Sequence, residues 1–100
     1  AVVVAALTQH LTHADVQEEG CKALANIAID DTNREVIAMQ GGITSVITAL
    51  KQHVTLEGVQ EQCIAALVNL AYESADNQLA IVKSDGIVVL VDALKQHPTH

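Results

Sequence analysis

The sequence contains no Phe, no Trp and a single Tyr, so it offers no row of aromatic rings on which nucleic-acid bases could stack. Only 5 of its 100 residues are Lys or Arg, against 12 Asp and Glu, which gives a formal net charge of -7. Such a charge repels phosphate backbones and anionic membrane surfaces and mildly favours basic partners. We therefore expect neither nucleic acid nor a membrane among the partners.

Long apolar runs are also missing, because none approaches the roughly 20 residues of a membrane span. A secretory signal has basic residues before its apolar stretch and a cleavage site after it. The apolar stretch at residues 1–7 has no preceding basic residues and no convincing cleavage site. Cys21 and Cys63 lie within apolar helical patterns and not in a short-spaced framework. We interpret them as reduced core thiols of an intracellular protein, cytoplasmic or nuclear.

Half of the residues are apolar, nearly all of them Ala, Val, Ile and Leu, which suffices for one core without metals or disulfides. The chain also repeats itself. An offset of 43 residues aligns Ala6-Leu7, Gln9-His10, Val16-Gln17-Glu18, Ala23-Leu24 and Asn26 with Ala49-Leu50, Gln52-His53, Val59-Gln60-Glu61, Ala66-Leu67 and Asn69. After a one-residue insertion near Ser74, Asn33, Ile37 and Gly42 align with Asn77, Ile81 and Gly86.

A third, partial copy follows, since residues 93–97 repeat residues 49–53. The array thus begins and ends in the same part of the unit, and we expect both ends to be cuts in a longer array. We divide this single domain, residues 1–100, into a partial repeat at 1–31, a complete repeat at 32–73 and a partial repeat at 74–100.

Apolar residues recur at the three-and-four spacing of helices, and no stretch alternates with period two. We predict an all-α protein with three helices per unit: a short one at 33–40 (copy 77–84), a second at 43–52, and a long third at 16–29 (copy 59–72). Thr32 and Asp15 are the predicted N-caps of the short and the first long helix. Gly41 and Gly42 are the predicted stop of the short helix.

The residues from Val16 to Ala28, followed by Asn33, Ile37 and Gly41-Gly42-Ile43, resemble the armadillo repeat, whose general form is VQ, AL, NLA, N, I and GGI across three helices. The resemblance covers essentially the whole chain. It implies a right-handed α-solenoid of about 43 residues per repeat. The repeat most easily confused with it, the HEAT repeat, has two helices per unit and does not need the short capped helix that we predict at 33–40.

The resemblance also implies a function. In armadillo proteins the third helices line a concave groove that binds extended partners. Asn26 and Asn69 occupy the position whose amides bond the backbone of a bound peptide, since a primary amide offers donors and an acceptor together. Specificity then comes from residues about one turn away: Glu19, Lys22 and Ile29 in the first copy, and Gln62, Ala65 and Tyr72 in the second.

Two observations temper this implication. The asparagines have a structural alternative, in which each amide ties down a neighbouring loop. In importin-like repeats a Trp sits four residues before the Asn, whereas this sequence has Lys22 and Ala65 there. We therefore do not expect a classical nuclear-import receptor.

Histidines at H-x-x-H spacing, His10 with His13 and His97 with His100, have the spacing of paired metal ligands. They lie at helix ends and in a polar loop without a recurring Cys or carboxylate, so we interpret the histidines as solvated caps and predict no metal or cofactor. There is no nucleophile beside a base and no glycine-rich phosphate loop, so we predict no enzyme activity.

Two functions remain. The first is a scaffold that binds an extended peptide or protein segment in the groove. The second is a structural module that self-associates through uncapped apolar ends, because isolated solenoids need polar caps. The apolar residues at the ends are Val2, Val3, Val4 and Leu7, and Val88, Val89, Leu90 and Val91. The second function predicts a homo-oligomer, formed by end-to-end stacking or by exchange of terminal helices.

Overall fold

The computed structural model describes residues 2–10, 13–53, 55–84, 86–88 and 91. Six helices follow one another in these residues: α1 (Val2–Gln9), α2 (Ala14–Ile27), α3 (Asp31–Met39), α4 (Gly42–Gln52), α5 (Glu57–Ala71) and α6 (Ala75–Lys83). Residues 86–88 and 91 are helical too, and no described residue lies in a strand. The all-α prediction is confirmed. The third partial copy at 93–97, with His97 and His100, lies outside the described residues.

The long helices begin earlier than predicted. α2 starts at Ala14, so Asp15 lies in its first turn, and the N-cap is His13, whose side chain makes no capping hydrogen bond. The prediction of Asp15 as the cap was wrong. Its carboxylate still lies at the positive end of the helix dipole, where a negative charge is favourable.

Each short helix is capped by the side chain of the residue directly before it. The Oδ1 atom of Asp30 accepts a 2.9 Å hydrogen bond from the backbone N–H of Thr32. Asp30 and not Thr32 is therefore the N-cap of α3. In the second copy the hydroxyl of Ser74 accepts from the backbone N–H of Asn77, at 3.3 Å, and caps α6.

The short helix α3 ends before the glycine pair, as predicted, and Gly41 is the N-cap of α4 while Gly42 is its first residue. Gly41 has φ of +81°, a left-handed conformation that glycine adopts without a steric penalty. Gly42 is restricted by space, because a Cβ atom there would lie 2.8 Å from the backbone oxygen of Ile37. A Cβ on Gly86 would lie 2.5 Å from the oxygen of Ile81, so the second copy has the same close approach.

Buried glutamines tie the long helices to the helices before them. Gln17 on α2 donates from Nε2 to the backbone oxygens of Leu7 and His10, at 3.0 and 2.9 Å. Gln60 on α5 donates in the same way to Leu50 and His53, at 3.0 and 2.8 Å. The carbonyls at a helix C-terminus have no partner within the helix. Each glutamine therefore acts as a C-terminal cap supplied by the next helix.

The C-termini of the long helices are capped in the same way, by side chains from the helix that follows. Asn33 donates to the oxygen of Ile27 at 3.2 Å, and Asn77, its counterpart, donates to Leu70 at 2.8 Å. Arg34 donates from Nη1 to the oxygens of Ala28 and Ile29, at 2.8 and 2.9 Å, and its counterpart Gln78 donates to Ala71 at 2.9 Å. These equivalent contacts show that the sequence repeat is also a repeat of the structure.

The one-residue insertion has a visible location. Equivalent residues are 43 positions apart up to Leu70 and 44 apart from Asn77 onward. Between them, Glu73 has φ of +50°, a left-handed conformation that a residue with a Cβ adopts at a cost. The turns after α2 and α5 both have three residues, whereas α5 has 15 residues and α2 has 14, so the extra residue is accommodated at the C-terminal end of α5.

The core lies between the helices and consists of small aliphatic side chains. Its fully or almost fully buried members are Val4, Leu7, Cys21, Leu24, Ala25, Ala28, Ile37, Ile43, Val46, Ile47, Ala49, Leu50, Val59, Cys63, Ala66, Leu67, Leu70 and Ile81. Val4 and Leu7 belong to it, so the expectation that they form an open apolar end was wrong. Val88 and Val91 are exposed, and Val89 and Leu90 have no described placement.

Candidate functional site

The packing of α2 beside α5 brings the predicted binding residues onto two neighbouring helices. Of the first-copy residues on this surface, Glu19, Lys22, Asn26 and Ile29 are exposed. Of the second-copy residues, Gln62, Ala65 and Asn69 are partly buried and Tyr72 is exposed. Ile29 and Tyr72 lie just beyond the C-termini of the two helices. We refer to these eight residues as the α2–α5 surface.

The two asparagines of this surface differ in their contacts. Asn69 donates from Nδ2 to the backbone oxygen of Ala25 at 2.7 Å, so its amide joins the two long helices. Asn26 is exposed. The structural alternative therefore takes a form that the sequence did not suggest, since Asn69 holds a helix and not a loop.

Arg34 lies next to the C-terminal part of this surface and was missed in the sequence. Its guanidinium lies 5.5 Å from the ring centroid of Tyr72, within the range of a cation–π contact. The same guanidinium binds the backbone oxygen of Ile29. Arg34 is itself buried, so it positions Ile29 and the exposed ring of Tyr72 and is not a free cation for a ligand. The sequence offered one signal for the role of Arg34, because Arg34 aligns with Gln78 and both are long side chains with N–H donors.

A second feature is an apolar groove of about 240 Å³, which we call the α5–α6 groove. Its lining residues are Leu67, Val68, Ala71, Gln78, Ile81, Val82 and Ile87. Val68 is 60% exposed, whereas its counterpart Ala25 is 6% exposed and lies against α5. In the first copy, α5 covers the surface around Ala25. The equivalent surface around Val68 in the second copy is open.

A polar hollow of about 270 Å³ lies between α3 and α6, lined by Asp31, Arg34, Glu35, Glu73, Ser74, Asp76 and Asn77. Four of these residues carry a carboxylate, against the single guanidinium of Arg34. This excess of negative charge locally favours basic groups.

Two of the described histidines, His10 and His13, lie beside each other. The rings of His10 and His13 stack at a centroid distance of 5.4 Å, and both residues are exposed. His53 is 8% exposed, so the interpretation of this histidine as a solvated cap was wrong. Within the described ranges there is no group of three or more His, Cys, Asp or Glu residues that could hold a metal ion.

The two cysteines meet at the centre of the interface between α2 and α5. Their Sγ atoms are 2.6 Å apart, and both side chains are fully buried. The hydrogen bond with Cys21 and the burial of the thiol raise the pKa of Cys63 above its ordinary value. A neutral thiol in this environment is a poor nucleophile.

Comparison with models of protein families, with curated proteins and with solved structures gave no match in any of the three cases. No helix in the described ranges combines the length and the apolar character needed to cross a membrane.

Proposed function

We propose that the chain is a protein-binding scaffold of the armadillo type, whose three-helix units form a right-handed solenoid with a groove along the long helices. Two findings support the architecture: the order of short, medium and long helices from α3 to α5, and the equivalent glutamine contacts 43 positions apart. The observation that carries the binding function is the α2–α5 surface, where the packing of two long helices aligns equivalent residues side by side.

The chemistry of this surface suits an extended peptide or protein segment. The exposed amide of Asn26 offers both donors and an acceptor to the backbone of such a segment. Asn69 uses one N–H on Ala25 and keeps a second N–H and its oxygen. The apolar surfaces of Ile29 and Tyr72 add contact area, and Tyr is a residue type enriched in protein interfaces.

The proposal assigns no catalysis and no cofactor, because the α2–α5 surface combines amide, apolar and oppositely charged groups without a nucleophile beside a base. We place this function in the cytoplasm or nucleus, since the two cysteines are buried in the core as free thiols. The net charge of -7 favours a neutral or basic segment over nucleic acid or an anionic membrane.

The test is selection of binders from a library of peptides, followed by measurement of Kd for the selected peptide with substituted chains. Asn26→Ala and Tyr72→Ala should each weaken binding by about 3- to 10-fold, the loss expected for one hydrogen bond or contact. Gln52→Ala, an exposed amide on α4, is the matched control and should leave Kd unchanged. Equal Kd values for all four chains reject the α2–α5 surface as the binding site.

A second candidate function is self-association, and the α5–α6 groove favours it. Its first-copy counterparts Leu24, Ala25, Ala28, Ile37 and Ile43 are buried. In the first copy the long helix α5 occupies this position, so the apolar side chains of the groove are complementary to a helix of that type. We propose that a second copy of the chain supplies it, by end-to-end stacking or by exchange of a terminal helix.

Light scattering over a range of concentrations tests this alternative. The average mass should rise with concentration, and Val68→Glu should suppress the rise because it places a charge in the apolar groove. Val36→Glu changes an exposed valine on α3 outside the groove and serves as the control. A mass that stays that of one chain at all concentrations rejects self-association.

A further inference from the structure

Cys21 and Cys63 form a pair that the internal repeat does not require. They are 42 positions apart, whereas equivalent residues are 43 apart, so each occupies its own place in its unit. The cysteines face each other across the packed helices α2 and α5, with 2.6 Å between the Sγ atoms. A disulfide bond is about 2.05 Å long, so closing one requires an approach of about 0.6 Å.

We infer that Cys21 and Cys63 are a site of intramolecular disulfide formation, which covalently joins the two long helices when the chain folds in the presence of a low-molecular-weight disulfide. This site is independent of the proposed binding function. A metal ion is a poor alternative occupant, because the described residues offer no third His, Cys, Asp or Glu ligand near the pair.

The reaction is two successive thiol–disulfide exchanges. The thiolate of one cysteine attacks the reagent, which forms a mixed disulfide and releases one reagent thiolate. The thiolate of the other cysteine then attacks the protein sulfur of the mixed disulfide, forms the Cys21–Cys63 bond and releases the second reagent thiolate. The two protons lost by the cysteines protonate the released thiolates, and two electrons pass from the cysteine pair to the reagent.

Burial determines when this reaction is possible. Both side chains are fully buried in the folded chain, so the reagent reaches neither sulfur. The raised pKa of Cys63 keeps its thiol neutral and further slows attack from the folded state. The exchange therefore takes place during folding or opening of the α2–α5 interface, and a bond once formed is shielded from reductants. In a reducing compartment the pair remains a dithiol.

The bond would have a defined structural effect. It closes a loop that contains α3 and α4 and links the partial first unit to the complete second unit. A cross-link across a loop of 42 residues lowers the entropy of the unfolded chain. We expect the ratio of folded to unfolded chain to rise at least about 100-fold.

The experiment is refolding of the intact chain from denaturant with oxidised glutathione as the probe, followed by mass spectrometry under non-reducing conditions. The expected product is a monomer about 2 Da lighter than the reduced chain, without free thiols. Trypsin cleaves after Lys22, Lys51 and Lys83, so residues 1–22 and 52–83 should be recovered as one disulfide-linked species. The thermal midpoint of the intact oxidised chain should lie above that of the reduced chain.

Cys21→Ala and Cys63→Ala are the controls. Each keeps one thiol and should yield a glutathione adduct in place of the lighter monomer, which shows that the reagent is active. Alanine preserves a small apolar side chain at each buried position, and circular dichroism reports whether the variants fold. Recovery of the unsubstituted chain with two free thiols, with two glutathione adducts, or as a disulfide-linked dimer overturns the inference.

Discussion

Asn69 donates a 2.7 Å hydrogen bond to the backbone oxygen of Ala25, a residue 44 positions earlier in the sequence. This oxygen lies in the last turn of α2, where carbonyls lack partners within the helix. The amide predicted to hold a peptide backbone thus already holds the backbone of the neighbouring unit.

This bond makes the two asparagines unequal. We expect Asn69→Ala to lower the free energy of unfolding by about 1–2 kcal/mol, since it removes the bond and leaves the oxygen of Ala25 unsatisfied. Asn26→Ala should change it by less than about 0.5 kcal/mol, because Asn26 is exposed. Urea unfolding of both variants measures the difference, and equal losses would show that the contact contributes nothing to stability.

The buried glutamine of α5 should matter more than either asparagine. Gln60→Ala removes hydrogen bonds to Leu50 and His53 and leaves a cavity, so we expect a loss of about 2–4 kcal/mol. Gln52→Ala is the matched control on an exposed face, with an expected change below about 0.5 kcal/mol. Similar urea midpoints for the two variants would contradict the capping role of Gln60.

The pKa of Cys63 predicts a dependence of stability on pH. The folded state raises this pKa above its ordinary value of about 8.5, so the folded chain keeps a proton that the unfolded chain loses. The contribution of Cys63 to the free energy of unfolding should therefore be constant below that pH and fall above it, by up to about 1.4 kcal/mol per pH unit. Unfolding curves from about pH 7 to about pH 10 should show a smaller decline in Cys63→Ala. An identical decline in both chains would assign the effect to other groups.

The turn at Glu73 should be improved by glycine. Glu73 has φ of +50°, where a Cβ causes steric strain, and glycine removes that strain at some cost in unfolded-state entropy. We expect Glu73→Gly to gain up to about 1 kcal/mol. Glu73→Ala keeps the Cβ and should gain nothing, and thermal unfolding of the two variants distinguishes strain from the loss of the charge.

Much of the fold was predictable because its signals are local. The three-and-four spacing of apolar residues indicates helices wherever it occurs, and Gly41 marks a helix end. The N-caps were less predictable, because Asp30 and Thr32 are both good capping residues and only the path of the chain selects between them.

The exposure of the predicted binding residues could not be predicted from the sequence. Lys22 and Ala65 are equivalent residues, yet Lys22 is exposed and Ala65 is partly buried. The difference comes from neighbouring helices, which cover the two copies unequally. In the same way, Ile27 is 42% exposed, whereas its counterpart Leu70 is fully buried.

The sequence by itself determined the helices and the repeat, because a helix needs only apolar side chains at the right spacing and a repeat needs only similar residues at a fixed offset. The tertiary structure decided which polar side chains are buried and what they bind. The acceptors of Gln17, Gln60 and Asn69 are backbone oxygens at helix ends, and every residue has such an oxygen. No residue type marks these partners in the sequence, so only the packing of the helices identifies them.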